Sequence, residues 1–122
     1  MTLVDDPDAA SWLDGLVGTA DDFDWDAGNR AKNRKHDVGP VDVEAMFRSP
    51  LVLAGRIIEP PHDEPRWLAL GEGMDRRRLT LVFTRRGRRL RPISCRPMRR
   101  QERKVYEETI SRGQTEPYPQ EE

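Results

Sequence analysis

The run Leu79-Thr80-Leu81-Val82-Phe83-Thr84-Arg85-Arg86-Gly87-Arg88-Arg89-Leu90-Arg91-Pro92-Ile93-Ser94-Cys95-Arg96 decides the fold. Leu79, Leu81 and Phe83 alternate with Thr80, Val82 and Thr84, the period of a strand that turns one face to a core. Arg86-Gly87-Arg88 supplies a turn and residues 89–96 a returning strand, so the stretch reads as a β-hairpin. Pro92 has no amide to donate to a ladder, which puts the second strand at an edge or beside a bulge. In such a hairpin Arg85 and Arg91 are expected to project from one face.

Outward from the hairpin, residues 51–59 and 66–71 read as two further strands, joined by a proline-bounded loop that holds His62. Before them, Asp26 is expected to cap a polar helix reaching about residue 36, preceded by a short strand over 23–26. Gly39-Pro40 restarts the chain, with Pro40 at a first helical position and Val43, Met46 and Phe47 as an apolar stripe that ends at Ser49-Pro50. After the hairpin a closing helix is expected over about 98–111, with Met98, Val105 and Tyr106 turned inward. The sum is an α+β domain: two helices, a small antiparallel meander, and a C-terminal helix. Residues 1–21 read as an acidic extension, flexible or a short helix capped by Asp8, in which Trp12, Leu13, Leu16 and Val17 share a face. The domain itself takes 22–111, and 112–122 read as a disordered acidic tail.

Charge is distributed unevenly. The chain has 21 Lys and Arg against 22 Asp and Glu, yet 13 of those cations lie between Arg76 and Lys104, where Glu102 is the one carboxylate. Residues 1–26 hold eight Asp and no Lys or Arg. Twelve of the 13 cations are arginine, whose planar fork binds phosphate through two parallel hydrogen bonds. A polyanion is therefore the expected ligand, and the acidic segment is a candidate to cover the basic block or to meet a second copy. One cysteine, Cys95, excludes an internal disulfide and reads as a buried strand residue. Two histidines and scattered carboxylates make a metal site unexpected, and the absence of a glycine-rich phosphate loop leaves no cofactor to expect. No stretch is long and apolar enough for a membrane span, so a cytoplasmic protein is expected.

Cleaving RNA without a metal requires moving a proton from the 2′-hydroxyl and giving one to the leaving 5′-oxygen, with cations beside the phosphorus. The available imidazoles are His36, next to Lys35, and His62. Glu102 and Tyr106 are four apart on the closing helix and share a face, roughly with Arg99 and Arg103.

Three ordered blocks sharpen this reading. The first is Phe23-Asp24-Trp25-Asp26-Ala27-Gly28-Asn29-Arg30 followed by Lys32 and Lys35-His36-Asp37-Val38. The second is His62-Asp63-Glu64-Pro65-Arg66-Trp67 running into Ala69-Leu70-Gly71. The third is Leu81-Val82-Phe83-Thr84, then Arg91 to Met98, then Glu102-Arg103 and Tyr106-Glu107. Together they resemble the BrnT family, the toxin half of a bacterial type II toxin–antitoxin pair. The resemblance implies a RelE-like fold and a metal-independent endoribonuclease that halts translation and growth. It also implies a BrnA-like antitoxin that covers the site, with a possible dimer inside that complex. On chemical grounds Lys35, His36, Arg85, Arg91 and Arg96 are assigned to catalysis. His62, Arg89, Arg99, Glu102, Arg103 and Tyr106 are assigned to RNA binding. The alternative is a non-catalytic RNA- or partner-binding module on the same scaffold. Asp37 stands where the family usually has glycine, and Cys95 where alanine is common.

Overall fold

The computed structural model describes residues 1–32 and 34–113. Its centre is a five-stranded antiparallel sheet in the order β1 (Thr2–Val4), β2 (Val52–Glu59), β3 (Arg66–Glu72), β4 (Arg78–Arg86), β5 (Arg89–Pro97). Helices α1 (Pro7–Asp14), α2 (Ala27–Ala31) and α3 (Pro40–Met46) fall between β1 and β2, and α4 (Arg100–Ser111) follows β5. The α+β class and the four central strands agree with the alternation in the sequence. The element order does not, because a strand and a helix precede the two expected helices.

The N-terminal segment is no loose arm. β1 pairs with β2, from Thr2 opposite Glu59 to Val4 opposite Arg56. α1 is capped by Asp6 rather than Asp8: the Asp6 carboxylate accepts from the Ala9 amide, and Pro7 takes the first helical position. The other Asp6 oxygen accepts from the Trp67 indole at 2.8 Å, which holds α1 on the sheet with Leu13 in the core. Three residues were too short a run to show strand alternation, so sequence reading missed β1.

Two apolar layers sandwich the sheet. One face carries Ala69, Leu79, Leu81, Phe83, Leu90 and Cys95 beneath Leu13, Val43, Met46 and Phe47 from the helices before β2. The other carries Val52, Ile57, Leu68 and Leu70 beneath Met98 and Tyr106. Cys95 lies wholly inside the first layer, and burial pushes its thiol up to about 12, which leaves it inert. α4 starts two residues later than expected. Met98 precedes it but is buried, whereas Val105 is 38% exposed, because Tyr106 occupies the inward position of that turn.

The expected long helix after Asp26 is divided. Asp26 does cap α2, accepting from the Asn29 amide at 2.9 Å while Asn29 accepts from the Asp26 amide. The helix stops at Ala31, and a 3₁₀ turn, Arg34–His36, follows. Asp37 then takes a left-handed conformation, φ 57°, a state that costs an L-residue energy and ends helical propagation. Phe23 makes only a single parallel bridge to Leu90, not a strand. The tail expected to be disordered lies outside the described residues beyond Gly113.

Candidate nucleic-acid interface

Arg91 and Arg96 are five apart, and an uninterrupted strand would turn them to opposite faces. The register prevents this. Val82 pairs with Ser94 and Phe83 with Pro92, so Ile93 is an extra residue in β5 and the alternation resets across it. Arg91, opposite Thr84, and Arg96, opposite Thr80, therefore share the α4 face with Ser94 between them. Pro92 occupies the bulged, outer strand where a missing amide is tolerated.

Arg85 is on the other face. Its cross-strand partner is Leu90, a residue of the opposite apolar layer, and its guanidinium stacks 4.6 Å from the centre of the Trp12 ring on α1. The expectation that Arg85 and Arg91 share a face fails because the two-residue turn pairs Arg86 with Arg89, and thus Thr84, not Arg85, with Arg91. Of the acidic extension 1–21, Trp12 meets the basic block at Arg85, but among the described residues none of its carboxylates forms a salt bridge there; the carboxylates on Arg91, Asp24 and Asp26, belong to the domain.

Carboxylates fix Arg91 and Arg96. Arg91 donates to Asp26 at 2.7 Å and lies 3.5 Å from the Asp24 carboxylate. The Asn29 amide, and after it Arg91, holds the Asp26 carboxyl below its usual range. Arg96 grips Glu102 with both terminal nitrogens at 2.8 Å, and Glu102 also accepts from the Thr80 hydroxyl and the Arg99 amide, each at 2.8 Å. Burial alone would raise the Glu102 carboxyl; the Arg96, Arg99 and Thr80 hydrogen bonds outweigh it and bring it to about 2. Each carboxylate engages part of a five-donor guanidinium, so donors remain for a phosphate.

Arg66, on β3, was missed in the sequence. Leu68 pairs with Val82 on the α4 face, and Arg66, two residues earlier, shares that parity. Its Nε is buried without a hydrogen-bond partner, the single such side-chain atom among the described residues. The available signal was its even spacing from Leu68 and Leu70.

Lys35 and His36 sit in the 3₁₀ turn that packs against β5, and Val38, just after it, enters the apolar layer opposite α4. Arg77 holds that turn, donating to the carbonyls of His36 at 3.1 Å and Asp37 at 2.6 Å. Lys35 is exposed and His36 half-buried. Nearer the hairpin, Asp26, Asn29, Lys32, Arg91 and Ile93 line a shallow depression of about 500 Å³ between α2 and β5.

The remaining predicted residues are not gathered there. His62 and Arg89 are exposed at the hairpin end of the sheet, where Arg86 pairs with Glu64. Arg99 and Arg103 are exposed at the start of α4. Tyr106 is 2% exposed and donates its hydroxyl to the Pro50 carbonyl at 2.8 Å, so it offers no ring face to a base. Among the described residues, seven cations of the basic block form no salt bridge: Arg85, Arg88 and Arg89 at the hairpin, and Arg99, Arg100, Arg103 and Lys104 on or beside the first turn of α4.

No curated protein matches this chain. A family model described as the ribonuclease toxin, BrnT, of a type II toxin–antitoxin system matches residues 25–102. That span takes in α2, the 3₁₀ turn, the whole β2–β5 meander and Glu102, more than half of the chain. The chain therefore belongs to the BrnT family of ribonuclease toxins of type II toxin–antitoxin systems.

Proposed function

We propose that the protein is a metal-independent endoribonuclease whose site is the part of the α4 face formed by β5, together with the Lys35-His36 turn that packs against that strand. The observation that carries this reading is the bulge at Ile93, which turns Arg91 and Arg96 to one face beside Ser94. In the reaction the 2′-oxygen bonds to phosphorus as the bond from phosphorus to the 5′-oxygen breaks, leaving a cyclic phosphate and a 5′-hydroxyl. His36 takes the 2′-proton, and Lys35 gives a proton to the departing 5′-oxygen. Arg91 and Arg96 face the charge that builds on the phosphoryl oxygens, already oriented by Asp26 and Glu102. Arg66 is a third cation for the same phosphate or the next. Arg89, Arg99, Arg103 and His62 hold flanking RNA, and Arg85 takes no part in the chemistry.

In this reading the fold is RelE-like in its meander and closing helix. The protein acts in the cytoplasm, halts translation, and is neutralised by a BrnA-like antitoxin, with a dimer formed inside that complex. The test is purified chain, free of antitoxin, incubated with RNA in EDTA. Cleavage that persists in EDTA and falls in Arg96→Ala and His36→Ala supports the proposal; cleavage that needs added metal contradicts it. One observation favours the competing reading of a non-catalytic RNA-binding module: Arg91 and Arg96 are already engaged by carboxylates. That module would bind RNA with a log–log salt slope of about −0.7 per phosphate and cleave none of it.

A further inference from the structure

The opposite side of the sheet has an unfinished edge. β1 pairs with β2 only from Arg56 to Glu59 and then leaves for the α1 side, drawn there by Asp6 and Trp67. Among the described residues, no strand lies beside the outer edge of β2 from Val52 to Ala54. That edge floors a groove of about 1080 Å³, with Ala10 and Leu13 of α1 on one wall and Val105 and Thr109 of α4 on the other. Unpaired strand N–H and C=O groups are matched by an extended polypeptide, which completes the ladder, and not by nucleic acid.

The charge at the groove's mouth narrows the occupant further. Arg99 lines it beside Asp14 and Glu102, the latter already taken by Arg96; Arg100, Arg103 and Lys104, outside the lining, follow on α4 without salt-bridge partners among the described residues. All four lie at or beside the positive end of a helix, where cations are unfavourable unless an anion answers them. The occupant is thus a strand of apolar side chains continued by acidic ones. The chain's own residues 114–122 suit this poorly, since Pro117 and Pro119 would remove two ladder donors.

We propose that the antitoxin lays an extended apolar segment with an acidic flank along residues 52–54 of β2, between α1 and α4. This rests on the toxin–antitoxin reading for the partner's existence but not on the ribonuclease mechanism. The test is hydrogen exchange on the full chain, alone and with its cognate antitoxin, beside antitoxin affinity and RNA cleavage for the full chain and for Val105→Glu. The outward amides of residues 52–54 are expected to slow by about tenfold or more in the complex. Val105 is partly exposed, so its replacement is expected to leave the fold and the free chain's activity intact while weakening antitoxin binding about tenfold. Unchanged exchange at 52–54 in a formed complex overturns the proposal, as does a failure to bind antitoxin. It is also overturned if those amides are protected in the free chain and lose protection in a chain ending at Gly113, which would make the tail the occupant. A chain that cleaves no RNA yet shows the protection retains this proposal and refutes the enzymatic one.

Discussion

The β5 side and the β2 side border one sheet and solve opposite problems. At the start of β5 the backbone is covered: Phe23 bridges Leu90, the Asp24 amide donates to the Leu90 carbonyl, and the Asn29 side chain donates to the Pro92 carbonyl. What that side presents is charge, in arginines fixed by carboxylates. Along the first half of β2 the side chains are small or apolar and the backbone edge is bare. Chemistry on a phosphate needs cations held in place before substrate arrives, because reorganising them during the reaction would cost part of what they stabilise. Docking a strand needs only unpaired backbone groups and apolar walls. The two sides meet at the start of α4, where Glu102 positions Arg96 and Arg99 opens the groove.

Breaking the β5 side has the largest expected effect. Arg96→Ala removes a charge-stabilising donor, and a loss of about 10²–10³ in cleavage rate is expected, with antitoxin affinity little changed. Next is Glu102→Gln, which weakens the fork to Arg96 and is expected to destabilise the fold by roughly 2 kcal/mol, discounted for partial exposure. Its pH signature is specific. The folded carboxyl, at about 2, lies below its ordinary value of 4.5. Its contribution is therefore complete above pH 4.5 and is lost as pH falls toward 2. Urea midpoints should fall as pH drops across that window in the native chain and fall less in the variant. On the other side, Val105→Glu is expected to weaken antitoxin and spare cleavage, the reverse of Arg96→Ala. Asp37→Gly relieves a left-handed residue, and a gain of roughly 0.5–1 kcal/mol in unfolding free energy, read as a higher denaturation midpoint, is expected.

How much of this was legible in the sequence differs between the two sides as well. The β2–β5 strands follow from period-2 alternation, and Pro92 marked an edge or a bulge, both of which the structure has. The arginine cluster marked a phosphate surface, but its partition between faces depended on register. A turn of two residues rather than three, together with one bulge residue, decides which arginines are neighbours, and neither is fixed by composition. Arg66 went unnoticed because a single cation entering a strand looks like ordinary surface. The β2 edge was invisible, since an unpaired edge is a property of where β1 stops, and β1 is three residues long. Asp6 and Trp67 set that stopping point across 61 positions of sequence.

The smallest expected effect is Arg85→Ala, which lies on the Trp12 side and is expected to change cleavage by less than about threefold. Set beside Arg91→Ala it gives the most direct test of the central claim, that the bulge assembles the site on the α4 face. RNA cleavage in EDTA should be measured for native chain, Arg85→Ala and Arg91→Ala at matched folded fraction. The account predicts native-like cleavage for Arg85→Ala and a fall of about a hundredfold for Arg91→Ala; equal losses, or a greater loss at Arg85, would contradict it.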